Sequence, residues 1–218
     1  MPRKIKPTKP FIYVFCEGES EQAYTDYLKK TFSDVAVIKR PHQTGLFSEA
    51  KAKFSKSPTY RNSIEVTDEI WFFYDIEEKD IHKWNDRLVI IKSLRKLRKK
   101  EGIRVRLLMT SGCIEYWFML HYKYFTPKLI TVPEKEKVIN EVKKRVPTYK
   151  KGDYESTAKI AEKYKDAITN SKKTVKALEV DGLPDLADTD ERNQWLNTKS
   201  VTFSNVYEAI EYLQSLKG

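Results

Sequence analysis

The stretch "FIYVFCEGESE", residues Phe11 to Glu21, decides the fold class. Its first six residues are apolar almost throughout, whereas a strand at the surface alternates apolar and polar side chains. Such a run is typical of a strand in a parallel sheet with helices on both faces. Acids follow it at once, at every second position from Glu17 to Glu21. Ligand sites in such sheets lie at the carboxyl ends of the strands, which is where Glu17 falls.

The rest of the first half repeats this alternation of strand and helix. Three further apolar runs predict strands: "VAVI" (35–38), "EIWFFYD" (69–75) and "IRVRLLM" (103–109). Amphipathic segments separate the four strands and predict helices: "SEQAYTDYLKKTF", "FSEAKAKFSKS" and "RLVIIKSLRKLRKK". The resulting βαβαβαβ pattern predicts an α/β fold whose mostly parallel sheet has right-handed crossovers and flanking helices.

The second half is mainly helical. The aromatic segment "CIEYWFMLHYKYF" has helical spacing, and further helices are predicted at about 133–146, 156–178 and 204–217. A loop rich in Pro and Asp, "DGLPDLADTD", leads to the last helix, where Asn205 and Glu208 have capping-box spacing. We therefore expect a flexible basic lead-in at 1–10, an α/β core at 11–125 and a helical extension at 126–218 packed on that core.

The charge of the chain favours a polyanionic partner, with nucleic acid first. The 218 residues carry a formal net charge of +10, and the pI is about 9.3. Two segments concentrate the cations, "KSLRKLRKK" (92–100) and "KKRVPTYKK" (143–151). We predict phosphate contacts from these segments at Lys96, Lys99, Lys100, Lys150 and Lys151. The alternative is a lysine-rich surface that is simply solvated.

Membrane insertion and disulfide bonding are not expected. No apolar run approaches the length of a membrane span, and the amino-terminal "MPRKIKPTKP" lacks the apolar region of a signal peptide. We therefore expect a cytoplasmic protein without a membrane partner. The two cysteines, Cys16 and Cys113, form neither a metal-ligand cluster nor a disulfide framework, and we expect both to be buried.

Acids follow three of the predicted strands. Glu17 follows the first, Asp75 the third, and Glu115 comes shortly after the fourth, while Glu77 lies two residues beyond Asp75. Like charges at one sheet edge are costly unless a cation neutralises them, and carboxylate oxygens suit Mg²⁺ or Mn²⁺. We therefore predict a divalent metal site with these ligands: Glu17, Asp75, Glu77 and Glu115. A divalent ion set among Lys and Arg indicates phosphodiester chemistry. For any single acid, capping of the following helix is the competing explanation.

Longer motifs resemble a known family. "VFCEGESE" followed by "IWFFYDIEE" resembles the Toprim domain, in which one strand precedes Glu-Gly and another precedes Asp-x-Asp. "SGCIEYWFMLHY" is similar to the Asn-Pro-Cys-Phe-Glu-x-Trp-x-x-x-His signature of RloB-like proteins, relatives of the AbiLii abortive-infection proteins. The tail "VTFSNVYEAIEYL" is similar to that family's closing segment. The resemblance covers about residues 11–216.

This resemblance implies roles for individual residues. Glu17 takes the place of the catalytic-type glutamate, Asp75 and Glu77 that of the metal-binding pair, and Glu115 that of the signature carboxylate. His121, the signature histidine, is predicted as a general base or phosphate contact, with packing on an aromatic helix as the alternative. Two departures are Glu77 in place of Asp and Ser-Gly-Cys in place of Asn-Pro-Cys.

The resemblance also implies a function. It implies a Mg²⁺- or Mn²⁺-dependent nuclease of an antiphage abortive-infection system, working with a separate ABC-type ATPase chain. Whether the substrate is DNA, tRNA or another RNA stays open.

Two other functions compete with the nuclease. One is a non-catalytic nucleic-acid sensor. The other is a receiver-like signalling domain, which Asp75 and Thr110 would fit but which leaves the basic segments unexplained.

Overall fold

The four apolar runs form one parallel sheet. In the computed structural model, which describes residues 9–98 and 101–217, the strands lie in the order β2-β1-β3-β4. Their bounds are β1 (Phe11–Cys16), β2 (Val37–Lys39), β3 (Glu69–Ile76) and β4 (Arg104–Ser111). Every pairing is parallel, so the carboxyl ends of the strands meet at one edge. The prediction of an α/β fold with a mostly parallel sheet is confirmed.

Ten α-helices surround this sheet in the described residues. They are α1 (Glu19–Thr31), α2 (Phe47–Lys56), α3 (Pro58–Arg61), α4 (Trp84–Arg95), α5 (Ile114–Leu120), α6 (Val132–Arg145), α7 (Tyr154–Ala161), α8 (Tyr164–Ala177), α9 (Asp190–Thr198) and α10 (Tyr207–Ser215). The helical character predicted for the second half is confirmed. Helix α9 was not predicted, and the helix predicted over 156–178 is two helices, α7 and α8.

The alternation of side chains along β3 assigns the helices to two layers. Phe73 contacts Tyr24 of α1 with ring centroids 6.0 Å apart, whereas its neighbour Phe72 stacks on Phe47 of α2 at 4.1 Å. Successive strand residues point to opposite faces. Helices α1 and α2 therefore cover opposite faces. Asp75, two residues beyond Phe73, points to the α1 face, where α5 also packs against Tyr24 through Trp117.

The carboxyl-terminal segment completes the outer edge of β4. Asn205 accepts a hydrogen bond from Met109 N at 2.6 Å and donates one to Leu107 O at 2.9 Å. Its side-chain amide is thus hydrogen-bonded to the backbone of β4, and the prediction that Asn205 caps the last helix is wrong. Glu208 instead pairs with the buried Arg192 of α9. The free backbone groups of an edge strand explain why an amide is needed here.

Some expectations fall outside the described part of the chain. The lead-in is described only from Lys9 onward, and Lys99 and Lys100 also lie outside the described residues. Among the residues that the structure describes, no helix combines the length and apolarity that a bilayer span requires. Cys16 and Cys113 are free cysteines, and the prediction that both are buried is confirmed.

Candidate functional site

Asp75 is the centre of a carboxylate cluster at the carboxyl edge of the sheet. Burial raises its pKa well above the usual value, and the charges of Glu21, Glu17 and Glu115 raise it further. The backbone N–H of Ile114, at the start of α5, acts in the opposite direction. Its Oδ1 atom is buried and has no hydrogen-bond partner. An unpartnered carboxylate oxygen among like charges is costly, so this position favours a bound cation.

Glu115 brings a second carboxylate from the first turn of α5. Its side chain is fully buried. Tyr149 donates its hydroxyl to Oε1 at 2.8 Å, and Lys151 Nζ lies 3.4 Å from the same oxygen. The other oxygen, Oε2, is buried without a partner. The loop after α6 therefore fixes one oxygen of Glu115 and leaves the second available to a ligand.

Glu21 is the third member, and sequence reasoning left it out of the predicted site. Only 3% of the residue is exposed, and burial is the main cause that raises its pKa to about 7. The charges of Glu17 and Glu115 add to the shift, whereas backbone N–H groups at the start of α1 oppose it. A signal was present in the sequence, because Glu17 and Glu21 are four residues apart. The competing role as a helix cap concealed it.

Gly18 permits the position that Glu21 adopts. A Cβ atom at this glycine would lie 2.8 Å from Glu21 Oε2, which is closer than real side chains approach. The Glu-Gly pair after β1 therefore has a steric reason. The glycine leaves room for the carboxylate of Glu21 to fold back over the helix start.

Glu17 lies at the exposed rim of the cluster. Its Oε2 accepts a hydrogen bond from Asp75 N at 2.9 Å, which links β1 to β3 beyond their last paired residues. Partial burial raises its pKa, and the charges of Asp80 and Glu77 contribute, while Arg87 opposes them. Glu17 thus contacts the backbone of Asp75 and remains accessible to solvent.

Glu77 has cationic partners in the structure. Its carboxylate pairs with Lys135 of α6 and with Lys79. Partial burial would raise its pKa, but the two lysines outweigh burial and lower it. The acids that raise the pKa of Asp75 most are Glu21, Glu17 and Glu115, not Glu77. Its role as a metal ligand stays a prediction, and it requires that a metal replace these lysines.

His121 lies in the aromatic core between α5 and α1. Its Nδ1 donates to Trp117 O at 2.9 Å, so the neutral ring accepts from the Tyr24 hydroxyl at Nε2, 3.2 Å away. Burial lowers its pKa to about 3. A general base or phosphate contact needs an accessible nitrogen, and both nitrogens of this buried ring are bonded. The placement favours the packing alternative.

The structure separates the two predicted basic segments. Lys150 and Lys151 are exposed and lie in the loop that touches Glu115. Lys96 is also exposed, but it follows α4 at the opposite end of the sheet, where Arg95 O accepts from Ile103 N just before β4. Arg98, beside it, pairs with Asp68. The segment at 143–151 is therefore brought to the carboxylates, and the described part of 92–98 is not.

The turn before Glu115 depends on Gly112. This residue has φ of +73°, and a Cβ atom there would lie 2.8 Å from Leu129 Cβ. Proline fixes φ near −65°, so the Ser-Gly-Cys turn differs in backbone from a turn built on Asn-Pro-Cys. The departure noted in the sequence thus has a structural counterpart. Glu115 still reaches the cluster from this turn.

The residues at this edge have the chemistry to hold a hard divalent cation. Carboxylate oxygens suit Mg²⁺ and Mn²⁺, and Asp75 Oδ1 and Glu115 Oε2 are buried without partners. In the described parts of the chain, no group of three or more His, Cys, Asp or Glu side chains is arranged to hold a metal. Mg²⁺ usually keeps several waters and takes only one or two carboxylates. Asp75 and Glu115 are therefore the residues whose donor chemistry would suit such an ion.

Comparison with known proteins places the chain in a family. Searches of curated proteins and of solved structures found no significant match. A family model described as RloB-like protein matches residues 12–213, which include most of β1, the carboxylate cluster and most of α10. The match spans most of the chain, so this protein belongs to the RloB-like family.

Proposed function

We propose that the protein is a Mg²⁺- or Mn²⁺-dependent nuclease that hydrolyses phosphodiester bonds in DNA or RNA. The observation that supports this most is the meeting of Asp75, Glu115 and Glu21 beside Lys151. Two buried carboxylate oxygens in this cluster have no partner. An acidic cluster with an adjacent cation suits a phosphate diester that binds next to a divalent metal.

In this proposal each residue has a distinct task. Asp75 and Glu115, each with an unpartnered buried oxygen, would hold the ion, and Glu21 adds negative charge beside them. The ion, when bound, neutralises phosphate charge and lowers the pKa of water. Tyr149 positions Glu115, and the exposed Lys151 contacts the phosphate.

Glu17 is the proton acceptor of the proposed reaction. It is the accessible acid of the group, and its raised pKa brings it closer to neutral pH, where a carboxylate is a more effective base. Its bond to Asp75 N uses Oε2 and leaves Oε1 free to accept a proton from water. This matches the catalytic-type position that the family resemblance implies for Glu17.

The family resemblance supports the biological setting of the proposal. RloB-like proteins resemble the AbiLii abortive-infection proteins, so we place the nuclease in an antiphage system with a separate ABC-type ATPase. Co-expression with an ABC-type ATPase from the same genome, followed by co-purification, tests the partnership. Two chains that never co-purify, with or without ATP, would contradict it.

Glu17→Gln is expected to lower cleavage about a hundredfold or more, because a general base contributes that much. Glu19→Gln, an exposed acid two residues away, is the matched control and should cleave like wild type. The measurement is incubation of labelled DNA and of total RNA with Mg²⁺, Mn²⁺ or EDTA. Wild type should cleave with either metal and not with EDTA.

Two outcomes would contradict the nuclease. Binding of nucleic acid without cleavage under any metal would favour the sensor. Labelling of Asp75 by acetyl phosphate, seen by mass spectrometry, would favour the receiver.

The sheet itself differs from that of a receiver. In the described residues it has four strands, and an isolated antiparallel bridge at Ser204 lies beyond β4, where a receiver has a fifth parallel strand.

A further inference from the structure

A groove beside α1 is lined by several cationic side chains. It is lined by Lys29 and Lys30 of α1, Lys39 and Arg40 at the end of β2, His42 and Tyr154. This groove belongs to neither of the basic segments that stand out in the sequence. It forms only because the last turn of α1 meets the end of β2 and the start of α7 in the fold.

Most of its positive charge is not neutralised within the protein. Asp26 is the acid that lines the groove, and Arg40 binds it through two hydrogen bonds of 2.9 and 2.6 Å. Within the described residues, Lys29, Lys30 and Lys39 form no ion pair with a carboxylate. All three are exposed. The groove therefore presents three ammonium groups that no carboxylate neutralises, two of which, those of Lys30 and Lys39, lie over aromatic rings. This surplus of positive charge suits a polyanion.

Aromatic and imidazole rings lie among these cations. Tyr154 is half-buried at the start of α7, with Lys30 Nζ 5.9 Å from its ring centroid, and the exposed His42 lies along the same groove. Proteins that bind single-stranded nucleic acid commonly combine aromatic rings with cations, because the bases stack on the rings while the cations contact the phosphates. A duplex keeps its bases stacked on one another and would use only the cations.

The groove is joined to the carboxylate cluster by the first turn of α1. Gln22, next to Glu21, donates from Nε2 to His42 O at 3.1 Å. Gly45 N donates to Cys16 O at 2.8 Å, so this connection crosses the end of β1 beside Glu17. From Glu21 to Lys29 the helix rises about 12 Å, the length of about four stacked nucleotides.

We propose that this groove binds a single-stranded segment of nucleic acid and leads it to the carboxylate cluster. The proposal rests on the proposed nuclease function and names the form of its substrate. Lys29, Lys30 and Lys39 contact successive phosphates, and Tyr154 stacks on a base. A strand that follows this groove reaches Glu17 and Glu21 at the His42 end.

Binding without metal tests the groove separately from cleavage. The probes are a fluorescently labelled 12-nucleotide single strand, as DNA and as RNA, and the matching duplex, measured by anisotropy in EDTA over a range of salt. The triple variant Lys29→Ser, Lys30→Ser, Lys39→Ser should bind the single strand about tenfold more weakly. Its log–log salt slope should fall by about 2, since each contact to a single strand contributes about 0.7.

Two comparisons complete the experiment. The matched control Lys51→Ser, Lys56→Ser, Lys173→Ser removes the same charge from exposed positions on α2 and α8 and should bind like wild type. Tyr154→Leu should weaken single-strand binding about tenfold and leave the salt slope unchanged, because stacking is not ionic. Circular dichroism melting checks that each variant folds.

The outcomes separate the groove from the nuclease. Equal binding by the groove triple and the control triple, or wild-type binding of the duplex as tight as of the single strand, would overturn the groove proposal. Neither result would bear on cleavage by wild type. Conversely, weak binding by the groove triple in a protein that cleaves nothing would support the groove and contradict the nuclease.

Discussion

Asp75→Asn is expected to lower cleavage about a thousandfold and to raise the melting temperature of the metal-free protein. Loss of a direct metal ligand removes several kcal/mol of electrostatic stabilisation from the reaction, which corresponds to a rate change of this size. The metal-free fold becomes more stable because the like charges of Glu21 and Glu115 no longer face a third carboxylate. An activity loss together with a stability gain is typical of a functional residue and not of a packing residue.

The measurement combines the cleavage assay with thermal melting in EDTA. A chain of this length gains about 2 to 4 °C for each kcal/mol. Asp86→Asn, an exposed acid on α4, is the matched control and should change neither quantity. Unchanged cleavage by Asp75→Asn would remove this residue from the proposed site. A melting temperature that falls would mean that Asp75 supports the fold.

A second large effect is expected in the pH dependence of stability. The pKa of Glu21 is about 7 in the folded protein, against a usual value of 4.5. A carboxyl whose pKa is raised by folding stabilises fully below its unfolded pKa, and that stability is lost as pH rises through the folded pKa. The free energy of unfolding in EDTA should therefore fall by about 3 kcal/mol between pH 4.5 and pH 8 on account of this group.

Urea unfolding at both pH values measures this effect. Glu21→Gln should match wild type near pH 4.5, be more stable at pH 8, and so show a flatter profile, whereas Glu19→Gln should follow wild type throughout. Mg²⁺ should stabilise wild type at pH 8 and have little effect at pH 4.5, since protonated carboxyls do not bind it. An identical dependence of stability on pH for wild type and Glu21→Gln would show that folding does not raise the pKa of the Glu21 carboxyl.

The sequence predicts the sheet well because buried strands leave a strong local signal. The runs that form β1 and β3 are apolar on both faces, and that of β4 is apolar from Leu107 to Met109. The acids that follow these strands lie at one edge in the structure. Helix α9 was missed because its signals are weak, since Asp190–Thr198 is polar apart from Trp195 and Leu196. It is held by Arg192, whose ion pair with Glu208 joins α9 to α10 across distant sequence.

The candidate site was only partly visible in the sequence for a related reason. Spacing along the chain indicated Glu17, Asp75 and Glu115, but which acid lies against Asp75 depends on how α1 packs. The same packing buries His121 between α5 and α1. From the sequence alone, a phosphate contact and a packing role were both open for this residue. The groove at Lys39 could not be predicted because its cations come from two separate elements, α1 and the end of β2, and its tyrosine comes from a third, α7.

The metal site is tested most directly by titrating Mn²⁺ into the metal-free protein at pH 8, with binding followed by calorimetry or electron paramagnetic resonance. Wild type and Asp86→Asn are expected to bind Mn²⁺, whereas Asp75→Asn and Glu115→Gln are expected to lose this binding. The reason is that Asp75 Oδ1 and Glu115 Oε2 are the buried oxygens without a partner in the carboxylate cluster. Equal Mn²⁺ binding by wild type and both cluster variants would contradict the claim that these carboxylates form a metal site.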